Sequence, residues 1–140
     1  MLTLGIETSC DETAVSVLMD GKRVLADEIS SQVDAHAAFG GIVPELAARM
    51  HVECINHLLE AALKNAGVSP GDINLVAVTV GPGLIVSLVV GIACARALGA
   101  ALDVPVIGVN HLEAHIMANF LSEPEPELPA LCLLVSGGHT

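Results

Sequence analysis

The chain opens on a period-two alternation of apolar and polar residues. LTLGIE (Leu2–Glu7) and TAVSVLM (Thr13–Met19) read as strands separated by the polar loop TSCDE. DGK at Asp20 to Lys22 signals a hairpin, and RVLADEI (Arg23–Ile29) returns as a third strand. A polar connection, SSQVDAHAAFGGI, follows. The period then lengthens. Leu46, Met50, Cys54, Leu58, Leu59, Ala62, Leu63 and Ala66 recur at helical spacing, with Pro44 suited to the first turn and Gly67 to the exit. SPGD turns the chain into the strand NLVAVTV (Asn74–Val80). GPG then leads into LIVSLVVGIACARALGAAL (Leu84–Leu102), which predicts a doubly buried helix with Gly91, Ala93, Ala95 and Ala97 permitting close contact. VPVIGV (Val104–Val109) reads as a buried strand, and a short helix starts at Asn110. SEPEPELP is an acidic, exposed loop, and ALCLLV (Ala130–Val135) is a last strand that delivers SGGHT.

The predicted order is β-β-β-α-β-α-β-α-β, an α/β fold with a mixed sheet and no internal repeat. With 140 residues the chain builds a single core. A buried strand and a glycine loop ordinarily feed a following element, so residues 1–140 are expected to be one lobe of something larger.

Composition sharpens this picture. The apolar share is 53%, yet Phe39 and Phe120 are the only aromatic residues, so the apolar mass is Val, Ile, Leu and Ala. That suits a sheet covered by helices, and the excess suits a face meant for another surface. Leu84–Leu102 is interrupted by Arg96 and preceded by GPG, which leaves too few uncharged residues for a bilayer span. Sixteen acidic residues against five basic ones give a formal charge of −11, so the chain has no basic face for nucleic acid of its own. Cys10, Cys54, Cys94 and Cys132 form no CxxC pair and follow no secretion signal, which points to reduced thiols in a cytoplasmic setting.

The chemistry concentrates in NHLEAH, Asn110 to His115. Asn110 is a good N-cap, and Glu113 stands at capping-box spacing from it. Positions four apart on a helix project side by side, so His111 and His115 present two imidazoles able to chelate one metal ion. The metalloprotease motif has the same histidine spacing but places its glutamate directly after the first histidine, where this chain has Leu112. Glu113 lies roughly 200° around the helix from His111, which removes the catalytic base. The spacing alone also accommodates two solvated helix histidines.

Two polar loops add to this. ETSCDETA joins two strands, and VSGGHT follows one. Hydroxyls, carboxylates and glycine amides at strand ends can cradle phosphates, with Ser136, Gly137 and Gly138 bringing N–H groups to an anion while Asp11 and Glu12 orient a metal or water. Turns are routinely rich in these residues, so each loop alone is weak evidence; together they suggest a nucleotide-binding half-domain. GPGL (Gly81–Leu84) is either a tight turn or a helix start open to an anion. His51 and His57 fall on different faces of the long helix, and His36 sits in a loop with no evident partner.

LGIETSCDETAVSVL, SSQVDAHAAFGGIVPELAARMH, AVTVGPGL, GVNHLEAH and LLVSGGHT together resemble the bacterial TsaD family, from Leu4 to Thr140. This is the tRNA threonylcarbamoyladenosine synthesis subunit, formerly described as an O-sialoglycoprotein endopeptidase. The resemblance implies a lobe of the actin, sugar-kinase and heat-shock ATPase fold, with the site in a cleft between two lobes. It implies transfer of a threonylcarbamoyl group from threonylcarbamoyl-AMP to an adenosine beside the tRNA anticodon. His111 and His115 match metal ligands, for iron or zinc, and Leu134, Val135, Ser136, Gly137 and Gly138 match the segment that contacts the adenylate. Asp11 and Glu12 match acidic residues near the nucleotide phosphates, where an ATP-type nucleotide with magnesium would sit. The implied partners are tRNA, a TsaB-like subunit against the apolar helices and an accessory ATPase subunit.

Family members are about twice as long, and their second lobe carries an aspartate that completes the metal site. This lobe alone is therefore expected to be inactive and to bind metal weakly. Val86 also departs from the family, which typically has glycine after GPGLI. A non-catalytic TsaB-like scaffold is the alternative, and it gives the histidine pair no task.

Overall fold

In the computed structural model, which describes residues 1–135, the opening alternation becomes an antiparallel meander. Strand β1 (Leu2–Glu7) pairs with β2 (Glu12–Met19) so that Leu4 faces Val17 and Ile6 faces Val15, and all four are buried on one side. The turn to β3 (Arg23–Ser31) needs two left-handed residues in succession. Asp20 and Gly21 supply them, with φ of 54° and 69°.

The polar connection after β3 holds a short helix, α1 (Val33–Ala37), where the sequence pattern predicts only an irregular connection. His36 is buried there and has partners after all: Gln32 Oε1 lies 3.1 Å from its Nε2, and the Val43 N–H donates to its Nδ1 at 3.3 Å. Helix α2 (Pro44–Ala66) has proline in its first turn. It closes on Gly67 at φ 69°, whose N–H and that of Val68 return to the Lys64 and Leu63 carbonyls. Its buried stripe is Ala47, His51, Ile55, Leu59 and Ala62, one position round from the expected edge. Leu46, Met50, Cys54 and Leu58 flank it, half-buried.

Strand β4 (Leu75–Gly81), helix α3 (Ile85–Leu102), strand β5 (Val106–Asn110) and helix α4 (His111–Ala118) follow. The sheet order is β3-β2-β1-β4-β5, with β1–β4 and β4–β5 parallel. One sheet face, built from Leu4, Ile6, Val15, Val17, Val76 and Val78, is the core and lies under α2 and α3. The other face carries α4 against β4 and β5.

Four expectations change. Helix α3 is not doubly buried. It packs through Ser87, Leu88, Gly91, Ala95 and Gly99, while Ala93 and Ala97 are exposed together with Ile85, Val86 and Val89. By length and composition it does reach the minimum for crossing a membrane, contrary to expectation. Its glycine and alanine edge nonetheless lies against β4 and β1, where it covers the sheet. Strand β5 is an exposed edge rather than a buried strand, because the sheet ends there. Ala130–Val135 forms no strand: its alternating side chains, Leu131 and Leu133 among them, find no partner edge among the described residues.

Candidate functional site

Three parallel or adjoining strands end at one rim of the sheet, and the polar residues the core rejects collect there. Leu4 and Ile6 point to the face under α2 and α3, so alternation sends Glu7, the last residue of β1, to the opposite one. The β1–β4 register sets Ile6 beside Val78, which brings Thr79 next to Glu7. Beyond β5 the chain turns into α4 and delivers His111 to the same place.

The Glu7 carboxylate gathers these segments. Oε1 accepts the Ser9 N–H, and Oε2 accepts the Thr79 hydroxyl at 2.5 Å and faces His111 Nδ1 at 3.2 Å. Burial pushes the Glu7 pKa up, but the hydrogen bonds from Ser9, Thr79 and His111 outweigh it and hold the carboxyl below its usual range. His111 Nδ1 is also 3.2 Å from Ser9 Oγ.

Helix α4 is capped as expected on one side only. Asn110 Oδ1 accepts the N–H groups of Leu112 at 2.9 Å and Glu113 at 3.3 Å. The return arm of a capping box, from Glu113 to the Asn110 N–H, is not among the hydrogen bonds of the described residues. Asn110 is instead the last ladder residue of β5, beside Gly81, and Glu113 points outward into a groove shared with Lys22 and Met117. His111 and His115 meet as their spacing requires: their Nε2 atoms are 3.1 Å apart and their ring centroids 4.5 Å, at 78°. A cavity of about 310 Å³ opens beneath them, floored by Gly5, Ala14, Ser16, Ala77 and Val109.

The loop TSCDE is clamped from two sides. On one, Leu84 N–H donates to the Ser9 carbonyl at 2.8 Å, and Gly83 lies so close that a Cβ would stand 2.5 Å from that oxygen. On the other is fully buried His51, whose Nε2–H donates to the Cys10 carbonyl at 3.1 Å. Its Nδ1 accepts from Thr13 Oγ1 at 2.7 Å and Gln32 Nε2 at 3.3 Å. Burial, working against the Cys10 carbonyl and the charges of Glu7 and Asp11, lowers the His51 pKa, so the neutral ring these bonds need is the stable one. Within this loop Asp11 is half-buried, its carbonyl taking the Gln32 N–H at 2.9 Å, and Glu12 is exposed at the start of β2. Burial, aided by Asp11, raises the Cys10 thiol pKa and so disfavours a nucleophilic thiolate.

Leu134 is half-buried in a cleft of about 350 Å³ that His115, Ile116 and Asn119 also line, whereas Val135 is exposed. Ser136, Gly137 and Gly138 lie outside the described residues. Val86 sits in the first turn of α3, exposed, so the close backbone approach near this turn belongs to Gly83.

Glu7 and Ser9 belong to the loop ETSCDETA but carry no individual assignment in the sequence, and Thr79 joins them at the rim only in the fold. The signal was present: a carboxylate ending the first strand on the face opposite Leu4 and Ile6.

The sequence profile of TsaD, tRNA N6-adenosine threonylcarbamoyltransferase, matches residues 23–140. The chain belongs to the TsaD family. Relatives named tRNA N6-adenosine threonylcarbamoyltransferase agree. One from Dictyoglomus turgidum is 58% identical over 140 residues, all of this chain and 42% of its own length. One from Symbiobacterium thermophilum is 56% identical over 139 residues, 99% of this chain and 41% of its own. The chain thus spans well under half the length of these relatives. Among solved structures, YeaZ from Pseudomonas aeruginosa superposes with a TM-score of 0.67 at 22% identity, over 85% of this chain and 48% of that one. RuvC from T. thermophilus gives 0.52 at 16%, over 89% and 73%. These likenesses establish the fold, the actin and ATPase-like lobe.

A metal suits the histidine pair on geometry. With metal–nitrogen bonds of ~2.05 Å, two Nε2 atoms at 3.1 Å subtend about 100° at a shared ion, within reach of tetrahedral or octahedral coordination. No group of three or more His, Cys, Asp or Glu side chains converges for a metal among the described residues.

Proposed function

We propose that this chain is the N-terminal lobe of a tRNA N6-adenosine threonylcarbamoyltransferase, with a second lobe completing the site. The observation that carries the reading is the convergence of the His111 and His115 Nε2 atoms where β1, β4 and β5 end. Ligands collect at such strand ends in α/β folds. His111 and His115 would hold one divalent ion, iron or zinc, and an aspartate of the second lobe would complete its coordination. The ion would act as a Lewis acid toward the carbamoyl-phosphate end of threonylcarbamoyl-AMP.

The adenosine amine of tRNA attacks the carbamoyl carbon, the N–C bond forms, the C–O bond to phosphate breaks as AMP leaves, and the amine proton passes to the departing phosphate or to water. No protein nucleophile is needed, in keeping with the protonated Cys10. The loop held by His51 and Gly83 carries Asp11 and Glu12 toward the phosphate side, where magnesium and an ATP-type nucleotide would be oriented. Leu134 to Gly138 would contact the adenylate. The exposed apolar edge of α3, Ile85, Val86 and Val89, suits a TsaB-like subunit, and partners rather than this −11 chain would supply the positive surface for cytoplasmic tRNA. An accessory ATPase subunit belongs to the same assembly.

The test is threonylcarbamoyl transfer by the full-length protein with its partners, alongside metal analysis. Replacing His111 and His115 with alanine is expected to remove the bound metal and the transfer together. Unchanged metal content in that variant would leave a non-catalytic scaffold as the better reading.

A further inference from the structure

We propose that Glu7 is a positioning residue of the histidine pair: its carboxylate accepts the Nδ1–H of His111 and so selects the tautomer that directs a lone pair on Nε2 toward His115. This deepens the metal reading above and rests on it. The argument is one of hydrogen-bond valence. An ionised carboxylate offers only lone pairs, and Oε2 stands 3.2 Å from His111 Nδ1, so that nitrogen carries the proton. In a neutral ring Nε2 then carries the lone pair, and it is Nε2 that lies 3.1 Å from His115 Nε2. Ser9 Oγ, 3.2 Å from the same Nδ1, serves as a second acceptor.

Glu7 is itself held from both flanks, by the Ser9 N–H and the Thr79 hydroxyl, so it does not swing away to follow the ring. The His111 side chain is 14% exposed and that of Glu7 29%, shielded enough for their hydrogen bond to compete with water. Carboxylate partners of this kind fix ring orientation and raise the basicity of the opposite nitrogen, and their loss costs roughly 10–100-fold in metal affinity.

The experiment uses the full-length protein with Zn²⁺ as the probe, in competition with a chromophoric chelator, together with ¹⁵N NMR of labelled histidines in the metal-free state. The wild type is expected to show His111 as the Nδ1–H tautomer. Glu7→Ala should lose that preference and weaken Zn²⁺ binding roughly 10–100-fold. Glu7→Gln, which keeps the size and removes the charge, should show a smaller fall in the same direction, and it carries the test if the alanine variant does not fold. Folded Glu7 variants that keep the wild-type tautomer and bind Zn²⁺ within about twofold would overturn the inference, since the 10–100-fold cost would be absent. If instead His111→Ala leaves Zn²⁺ binding intact, the metal reading itself fails.

Discussion

Gly91→Ala sets helix propensity against packing. Alanine in place of a mid-helix glycine ordinarily stabilises by about 1 kcal/mol. Here the added Cβ would stand 2.5 Å from Thr8 Oγ1 and 3.4 Å from Thr8 Cγ2, and Thr8 is fully buried. Its hydroxyl donates to the Ser87 carbonyl at 2.9 Å and accepts the Gly91 N–H at 3.2 Å. Displacing it forfeits both bonds, about 1 kcal/mol each, and overpacks a stiff β-branched side chain at about 1–3 kcal/mol. After the propensity gain the net destabilisation is about 2–4 kcal/mol. Urea unfolding followed by circular dichroism reads it as a lowered midpoint at unchanged slope. In a Thr8→Ala background the clash is gone, so the same substitution should become neutral or stabilising, a coupling a double-mutant cycle isolates. A Gly91→Ala chain as stable as the parent would refute the packing argument outright.

Three further outcomes follow from the same geometry. Asn110→Ala removes the cap of α4 and should cost about 1 kcal/mol, with loosened His111 and His115 resonances in NMR. Folding lowers the proton affinity of His51, so the unfolded chain binds more protons below its ordinary pKa of 6.5. The stability this group contributes is present above that pH and lost as pH falls below it. Urea midpoints between about pH 7.5 and 5.5 should therefore decline, and His51→Gln should flatten that decline while lowering stability throughout. Ser87 Oγ is buried without a hydrogen-bond partner among the described residues, so Ser87→Ala should be neutral or stabilising by about 1 kcal/mol in thermal unfolding.

The elements with strong periodicity were legible from the chain itself. Alternation through Leu4, Ile6, Val15 and Val17 placed the hairpin, and the side-by-side histidines followed from helical spacing alone. Burial of single elements was harder to read, because hydrophobicity does not say what covers a residue. Helix α3 and strand β5 look equally apolar in sequence, yet each keeps a face uncovered within this lobe. The buried chain from His36 through Gln32 to His51 was missed for a different reason. Gln32 and His36 are polar residues in a segment that reads as loop, and they gain partners only when Gln32 reaches His51 on α2. Glu7 went unremarked because its partners Thr79 and His111 are 72 and 104 residues away, beyond the reach of any local pattern.

Those separations make the site a sensor of strand register. Thr79 and His111 reach Glu7 only if β1 and β4 pair with Ile6 against Val78. A slip of one residue would turn Glu7 to the opposite face, among the valines under α2 and α3, and take the carboxylate away from the His111 ring. The hydrophobic preference that keeps Leu4 and Ile6 inside is thus the same one that aims the carboxylate. Long loops must close before these contacts form, so the rim is expected to assemble late in folding, after the local hairpin. A chain that has oriented His111 has, by that fact, already found its parallel sheet.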